Sequence, residues 1–439
     1  MDLRHSLRLA MLLTLLPLSN YAGAELTLGI GHSSEYSDNA DLAEDNTHEH
    51  REDRTWLDLG LELDRKQWLL ATQYQFTNVH FDSNSPTPQP DNDEITGRTD
   101  FNGLWLKRRL QLDASHARQN FLGTPGDLEL QRNLQARDTA SISPRLYLQN
   151  NSRQQAYLSG QYSSINYDEN ASTQLSVDSE TSGWSAGFNR KISAVTLVGI
   201  EAQELTTTYE TDAPDTDFTR LSVFYDVSLR RLQYSLALGY NKSSSDLGDD
   251  NESPMALLNL SYDSGKTQIS LDSQYFLTDT ARGNQSFSGL DQSSANLSLG
   301  NGNSSQVDRY ELLNNRLQIS TQLNARWGLS VNVSAAEQTY ETNPELDQTT
   351  YNYQISLTNS ISSHWQWSLE ARQQVLEASD PEATIGYQTD TYRLRVDYQA
   401  TESLSLQLDL QSEDRNGDNG GRSYKEQTAE LSLIYQLRP

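Results

Sequence analysis

Cysteine is absent from this 439-residue chain. Without a thiol the chain can form no disulfide framework, thiol nucleophile, thiolate metal site or covalently attached c-type haem. Basic residues are also scarce, because 33 Lys and Arg stand against 60 Asp and Glu, for a formal net charge of -27 at pH 7. Nucleic-acid binding depends on basic patches that neutralise phosphates. The charge therefore argues against a nucleic acid as a partner.

Long apolar runs are missing too, except for one at the N-terminus. Arg4 and Arg8 precede an apolar run at residues 9–18, and Ala22-Gly23-Ala24 supplies the small-x-small pattern that a signal peptidase reads. The run is shorter than the roughly 20 residues that a spanning helix needs. We therefore interpret residues 1–24 as a cleaved secretory signal peptide and residues 25–439 as a single domain.

The chain as a whole is hydrophilic, with a mean hydropathy of -0.71, yet the apolar residues that follow the N-terminal run alternate with polar ones. In the hairpin at residues 221–240, Leu221 and Val223 alternate with Ser222 and Asp226. Strand side chains repeat every two residues, so one face is apolar and the other mostly small and polar. A water-soluble β-sandwich buries its apolar face in a core and has charged residues on the other face. A small, polar face instead favours a water-filled interior and a lipid-facing exterior.

The same pattern recurs from one end of the domain to the other, with tight turns near residues 65, 107, 151, 191, 230, 265, 324, 363 and 401. Nine such hairpins plus a first and a last strand predict about twenty strands, with 16 to 20 plausible. Longer polar segments alternate with the turns, at residues 38–53, 82–94, 123–131, 246–252, 280–305 and 414–421. The sequence thus predicts an all-β fold, a single transmembrane antiparallel β-barrel with short periplasmic turns and longer extracellular loops, in a Gram-negative outer membrane.

One of these segments, residues 280–305, is unusually long. It could contain a further hairpin or fold inward as a constriction loop.

Charged residues also occupy strand centres. They would be costly in a dry core but not in a water-filled lumen. We expect residues on two neighbouring strands to form a mixed-charge patch on the lumen wall, and further carboxylates to line it elsewhere. The predicted lumen-lining residues are Glu370, Arg372, Arg393, Arg395, Asp397, Asp226, Asp58 and Glu62.

Aromatic residues lie close to the predicted turns, where their rings would sit at the headgroup level of the membrane. The alternative is that they are ordinary strand-forming aromatics. The residues predicted to form this belt are Trp68, Tyr262, Trp327, Trp365, Tyr398 and Tyr435.

Two segments have some likeness to metal sites. His48-Glu49-His50 lies in an acidic stretch, and residues 414–420 resemble a calcium loop, but the glycine comes one position late and no bidentate Glu follows. We interpret both as solvated loops. No Ser-His-Asp order, glycine-rich phosphate loop or HExxH motif appears. The sequence predicts no cofactor, no metal site and no enzyme.

Near its start the domain resembles a known family. Leu26-Thr27-Leu28-Gly29-Ile30 and Tyr36-Ser37-Asp38-Asn39 resemble the opening strand and Y-[ST]-D-N signature of outer-membrane barrels from exopolysaccharide gene clusters, including those of the PEP-CTERM/exosortase system. Leu112-Asp113-Ala114-Ser115 followed by Gln119-Asn120-Phe121 is similar to a second shared stretch. The resemblance implies a porin-like component of polysaccharide export or surface assembly, with polysaccharide and periplasmic export components as partners. It implies no catalytic residues.

The C-terminus departs from the usual pattern of such barrels. The aromatic residue that the insertion machinery reads is missing, and the chain ends Leu437-Arg438-Pro439. Outer-membrane lipid would surround the domain, and acidic loops could bind lipopolysaccharide through divalent ions. Two alternatives to polysaccharide export remain, a general diffusion porin and a non-conducting barrel that serves as a scaffold for a partner protein.

Overall fold

The computed structural model describes residues 24–39, 41–45, 47–83, 85, 89–122, 130, 134–168, 177–210, 214–245, 250–279, 308–379, 386–418 and 422–437. The interpreted signal peptide lies outside these residues, apart from its last position. The long segment at residues 280–305 and the terminal Arg438-Pro439 also lie outside them.

The described chain is built almost entirely of β-strands, with a single 3-10 helix at Pro344–Leu346. The alternation of apolar and polar residues found in the sequence runs along each strand, as expected for side chains that point to opposite faces of a sheet. The strands are β1 Ala24–Ser37, β2 His50–Arg65, β3 Trp68–Ser83, β4 Asn92–Trp105, β5 Leu110–Leu122, β6 Leu134–Asn150, β7 Gln154–Tyr167, β8 Ser179–Lys191, β9 Thr196–Tyr209, β10 Thr216–Ser228, β11 Leu232–Ser245, β12 Asp250–Asp263, β13 Thr267–Asp279, β14 Arg309–Gln322, β15 Trp327–Tyr340, β16 Gln348–Ser360, β17 Trp365–Ala378, β18 Tyr387–Gln399, β19 Leu404–Gly417 and β20 Tyr424–Leu437.

The sheet closes on itself. Each strand pairs antiparallel with the next, and β1 also pairs with β20, from Leu28 opposite Leu437 to Ser37 opposite Thr428. Across the described residues this gives one closed sheet of twenty strands, which confirms the predicted barrel and its strand number. Closure satisfies the backbone groups that a free edge would expose to lipid. Among the described residues, no helix is long and apolar enough to cross a membrane.

The connections between strands differ in length between the two ends of the barrel. Nine connections of two to four residues join β2 to β3, β4 to β5 and so on to β18 and β19, which confirms the predicted turns. Gly265 occupies one of them with φ of +87°, a conformation that residues with a Cβ rarely adopt. The other connections lie at the opposite end, and all but the four-residue connection between β11 and β12 are longer, so the barrel has a short-turn end and a long-loop end.

The two faces of the sheet differ sharply in chemistry. On β10, Leu221 and Val223 are 51% and 58% exposed, whereas their neighbours Arg220 and Ser222, on the opposite face, are each 9% exposed. A water-soluble protein shows the reverse distribution. In a closed barrel the exposed apolar row can only be the outer surface, and its composition matches the lipid-facing band of outer-membrane barrels.

The predicted aromatic belt maps to one level of this outer surface. The strand registers place its six members on the outer face, close to the short turns. Neighbouring rings pack together there, with centroids 4.5 Å apart for Trp365 and Tyr398 and 5.4 Å apart for Trp327 and Trp367. This is where amphipathic rings would meet the membrane interface.

The strands extend further toward the long-loop end than the sequence predicted. Residues 50–53 belong to β2, residues 250–252 to β12 and residues 414–417 to β19. Strands here contain 13 to 17 residues, more than the roughly 9 to 11 needed to cross the lipid. Beyond the lipid the outer face becomes polar, as the 2.6 Å bond from Lys242 to Asp250 shows. The apolar alternation that revealed the strands is therefore absent from their last residues.

We expect an inserted tag to be reachable from outside intact cells at residues 246–249 or 419–421, and unreachable at Arg108 or Arg230. The reason is that outer-membrane barrels place long connections outside and short ones in the periplasm. Surface labelling of intact cells, with permeabilised cells as the control, tests this. Labelling of intact cells at Arg230 but not at residues 246–249 would reverse the orientation.

We expect Leu408→Arg to destabilise the folded barrel by about 2 to 4 kcal/mol, because the Leu408 side chain points outward near mid-strand. Gln407→Arg is the matched control, since its side chain lies on the inner face, opposite Asp397. Unfolding by denaturant in lipid vesicles measures both. Equal losses of stability would contradict the assigned faces of β19, and a larger loss for Gln407→Arg would reverse them.

Candidate functional site

The inner wall brings five of the predicted lumen residues together on β17 and β18. Glu370 lies opposite Arg393 in the register of the two strands. Arg372 lies two residues beyond Glu370 on the same face, toward the long-loop end. Arg395 and Asp397 continue that face toward the short-turn end. The outer face of these strands carries apolar side chains such as Leu369, which is 49% exposed. The five residues thus share one patch of the inner surface.

The other three predicted residues also lie on the inner face, but apart from this patch. Asp58 is on β2 and accepts a 2.9 Å hydrogen bond from Nε2 of Gln75. Glu62, on the same strand, lies opposite Glu25 of β1. Asp226 is on β10, on a different part of the wall, where Ser235 donates to its carboxylate. The eight residues therefore do not form a single site.

The arginines of the patch are held by a residue that was not among the predicted eight. Asp409 on β19 is 5% exposed. Its Oδ1 lies 2.7 Å from Nε of Arg393, and its Oδ2 lies 3.0 Å from Nε of Arg395. The register of β18 and β19 explains why Asp409 contacts these arginines, because Arg395 lies directly opposite Asp409. The sequence signal was the alternation of β19, which puts Asp409 and Gln407 on the same face.

Carboxylates continue from Asp409 across the seam where the barrel closes. Asp409 lies opposite Glu430 on β20, Glu430 opposite Glu35 on β1, and Glu35 opposite Glu52 on β2. Arg54 donates from Nε to Oε1 of Glu52. Opposed residues on paired strands have Cβ atoms about 5 Å apart, so this is a continuous charged row. Closure alone brings residues 35 and 430 side by side.

The inner wall is apolar on another side of the barrel, toward the long-loop end. A buried cluster there combines residues from β11 to β15, and Leu346 of the 3-10 helix packs against it. Leu312 is 0% exposed and Tyr310 is 1% exposed. The cluster consists of Ala237, Met255, Leu257, Phe276, Tyr310, Leu312 and Tyr340.

The ends of β13 and β14 form a ribbon that turns away from β12 and bends into the barrel, while β14 remains paired with β15 as far as Tyr310 opposite Tyr340. Pairing of β12 with β13 stops at Ala256 opposite Tyr275, but pairing of β13 with β14 continues to Asp279 opposite Arg309. All four residues from Phe276 to Asp279 are buried, so protein covers both faces of the ribbon. Leu277 packs with inner-face residues of β9 and β10 in a second buried cluster. This ribbon narrows the interior near the long-loop end.

A closed antiparallel barrel with an exposed apolar outer face and a polar, ion-paired inner face defines a transmembrane β-barrel of the outer-membrane type. No protein-family model and no curated protein matches the chain. Similar solved structures include the FrpB iron transporter of Neisseria meningitidis (TM-score 0.47, 8% identity, 94% of this chain and 82% of that one). They also include the outer membrane channel DcaP of Acinetobacter baumannii (0.40, 9%, 95% and 99%) and the outer membrane protein opdK of Pseudomonas aeruginosa (0.42, 8%, 95% and 99%). The assignment rests on the strand register of this chain.

We expect the double variant Arg393→Gln/Arg395→Gln to lose about 1 to 3 kcal/mol of stability, because it leaves the carboxylate of Asp409 buried without a partner. The loss of stability should be smaller than that caused by breaking a fully buried ion pair, since both arginine side chains are 36% exposed. Denaturant unfolding in lipid vesicles, followed by tryptophan fluorescence, measures it. The control adds Asp409→Asn to the double variant and should recover most of the loss. A triple variant no more stable than the double would show that Asp409 does not depend on these arginines.

Proposed function

We propose that this protein is an outer-membrane channel for hydrophilic solutes. The observation that carries the proposal is the polar inner wall, where carboxylates and guanidinium groups lie opposite one another along several strands. Charges on the wall of a wide pore remain hydrated and act on whatever passes. A barrel that served only as an anchor would have no need for a charged interior.

The strand number supports a wide lumen. Barrels of 16 to 18 strands leave an aqueous channel, whereas 22-stranded barrels of this membrane enclose a plugged lumen. With twenty strands the present barrel lies between these classes. We infer from this strand number an interior wide enough for solute passage, which the inward ribbon of β13 and β14 narrows on one side.

Sugar polymers are the solute class that we propose. The resemblance of the first strand and its Tyr36-Ser37-Asp38-Asn39 segment to barrels of exopolysaccharide gene clusters supports it. The inner wall also offers hydroxyl and amide groups. Among the hydroxyl groups are those of Ser115 and Ser141, whose oxygens lie 2.8 Å apart. Such groups exchange hydrogen bonds readily with sugar hydroxyls. A general diffusion porin would use the same wall chemistry and is the first alternative.

The second alternative, a non-conducting scaffold, is favoured by the ribbon and its apolar cluster. Buried apolar side chains on an inner wall mean that protein, and not water, fills that part of the interior. If the filling extends across the lumen, no solute passes.

We expect the purified barrel to form ion-conducting pores in planar bilayers, and a neutral sugar polymer added to the long-loop side to reduce the current. Arg372→Gln should shift selectivity toward cations and Glu370→Gln toward anions, because the two charges have opposite signs on the same stretch of wall. The opposite directions make each variant the control for the other. Pores that conduct without response to sugar polymers would favour the general porin. An absence of conductance from a well-folded barrel would favour the scaffold.

A further inference from the structure

Three potential metal ligands converge on the inner wall at the long-loop end of β1 and β2. His50 and Glu52 are two residues apart on β2 and so share one face, and Glu35 of β1 lies directly opposite Glu52. One donor atom from each of the three lies within 4.8 Å of the others. His50 and Glu52 are 7% and 5% exposed. The spacing results from strand pairing, which the short motif at residues 48–50 could not show.

The imidazole of His50 provides a second indication, besides the convergence of the three side chains, that this cluster binds a ligand. Its Nδ1 is buried and has no hydrogen-bond partner in the described structure. Buried polar atoms in native proteins are nearly always paired, so an orphaned ring nitrogen calls for an explanation. A ring nitrogen with a free lone pair is the commonest metal ligand that proteins use. One ring nitrogen of His50 lies within 4.8 Å of a carboxylate oxygen of Glu35 and of one of Glu52. His50 is therefore not part of a solvated loop, as the sequence had suggested, but the first residue of β2 on the inner face.

The surrounding charges also favour a cation. Glu430 lies opposite Glu35, and Glu426 accepts a 2.6 Å hydrogen bond from the hydroxyl of Ser37, next to His50 in the register. Four carboxylates thus converge at this place, and Arg54 is paired with one of them, Glu52. Arg54 bonds Oε1 of Glu52, and a carboxylate can bind a metal through its other oxygen at the same time. Its contact orients Glu52, as supporting hydrogen bonds do for metal-binding carboxylates.

We propose that Glu35, His50 and Glu52 form a binding site for a divalent transition-metal cation of the Zn²⁺ type. One imidazole and two carboxylates are a donor set of three protein ligands, which leaves a further position for water. Ca²⁺ and Mg²⁺ prefer oxygen donors throughout, so the imidazole selects against them. The ion would link β1 to β2 beside the closure seam, at the mouth of the lumen.

Isothermal titration of the full-length barrel, purified from membranes in detergent, tests the proposal with ZnCl2 as the probe. We expect one Zn²⁺ to bind per chain, and His50→Gln and Glu35→Gln each to weaken binding by about tenfold or more, at least the cost of losing an outer-shell partner. Ca²⁺ should bind more weakly than Zn²⁺. Co²⁺ supplies a second readout, because its visible absorption reports ligation and should be lost in His50→Gln.

The matched controls are His32→Gln and Glu25→Gln on β1. His32 lies on the outer face, where Nδ1 is 3.0 Å from the hydroxyl of Thr55, and Glu25 lies near the short-turn end. Both variants should bind Zn²⁺ as the wild type does. Heat-modifiable migration on gels confirms that each variant is folded. A folded wild type without saturable Zn²⁺ binding, or with equal affinity for Ca²⁺, overturns the proposal, and so does unchanged binding by His50→Gln. None of these measurements depends on ion conduction, so the metal site and the channel succeed or fail separately.

Discussion

The hydrogen bonds between β1 and β20 are the interaction on which the rest of this structure depends. Lipid offers no partner for a backbone N–H or C=O group, so a sheet in the membrane cannot have an open edge. Ten residues of β1 pair with the last strand, and this pairing turns a chain of local hairpins into a closed wall. The sheet has an inner and an outer face only because it closes into a barrel. The division of each strand into a lipid face and a lumen face follows from it.

Closure also creates the chemistry of the inner wall. The charged row crosses the seam, and it places Glu35 of the first strand between Glu52 and Glu430 of its two neighbours. Carboxylates this close repel one another in surroundings that water only partly fills, so they need compensation by guanidinium groups or a cation. On one side Arg393 and Arg395 supply it for Asp409. On the other side Arg54 supplies part of it, beside an unpartnered nitrogen of His50. Solute passage and metal binding would thus draw on one electrostatic feature of the wall.

The two-residue period of the strands could be recognised in the sequence wherever the outer face of the barrel contacts lipid. Leu221 and Val223 must be apolar because they face hydrocarbon, whereas Ser222 between them faces inward, so the two-residue period is strong within the membrane. Above the membrane both faces meet water or protein, and the period fades. This is why residues 50–53 and 414–417 looked like loops although they are strand, and why His50 was mistaken for a solvated residue. The bend of β13 and β14 into the interior has no periodic signal at all, because both faces of the ribbon are packed against protein.

The sequence by itself determined the class of fold, the approximate number of strands and, within the membrane-spanning part, the face on which charged residues such as Glu370 and Arg393 lie. These depend on local rules, the alternation along a strand and the length of each connection, which a chain carries in its order of residues. Only the tertiary structure decided which charges meet. Asp409 holds both arginines because of the register between β18 and β19, and Glu35 joins His50 and Glu52 because β1 pairs with β2 at one particular offset. A shift of two residues would preserve every face and change every partner, so alternation cannot specify such contacts.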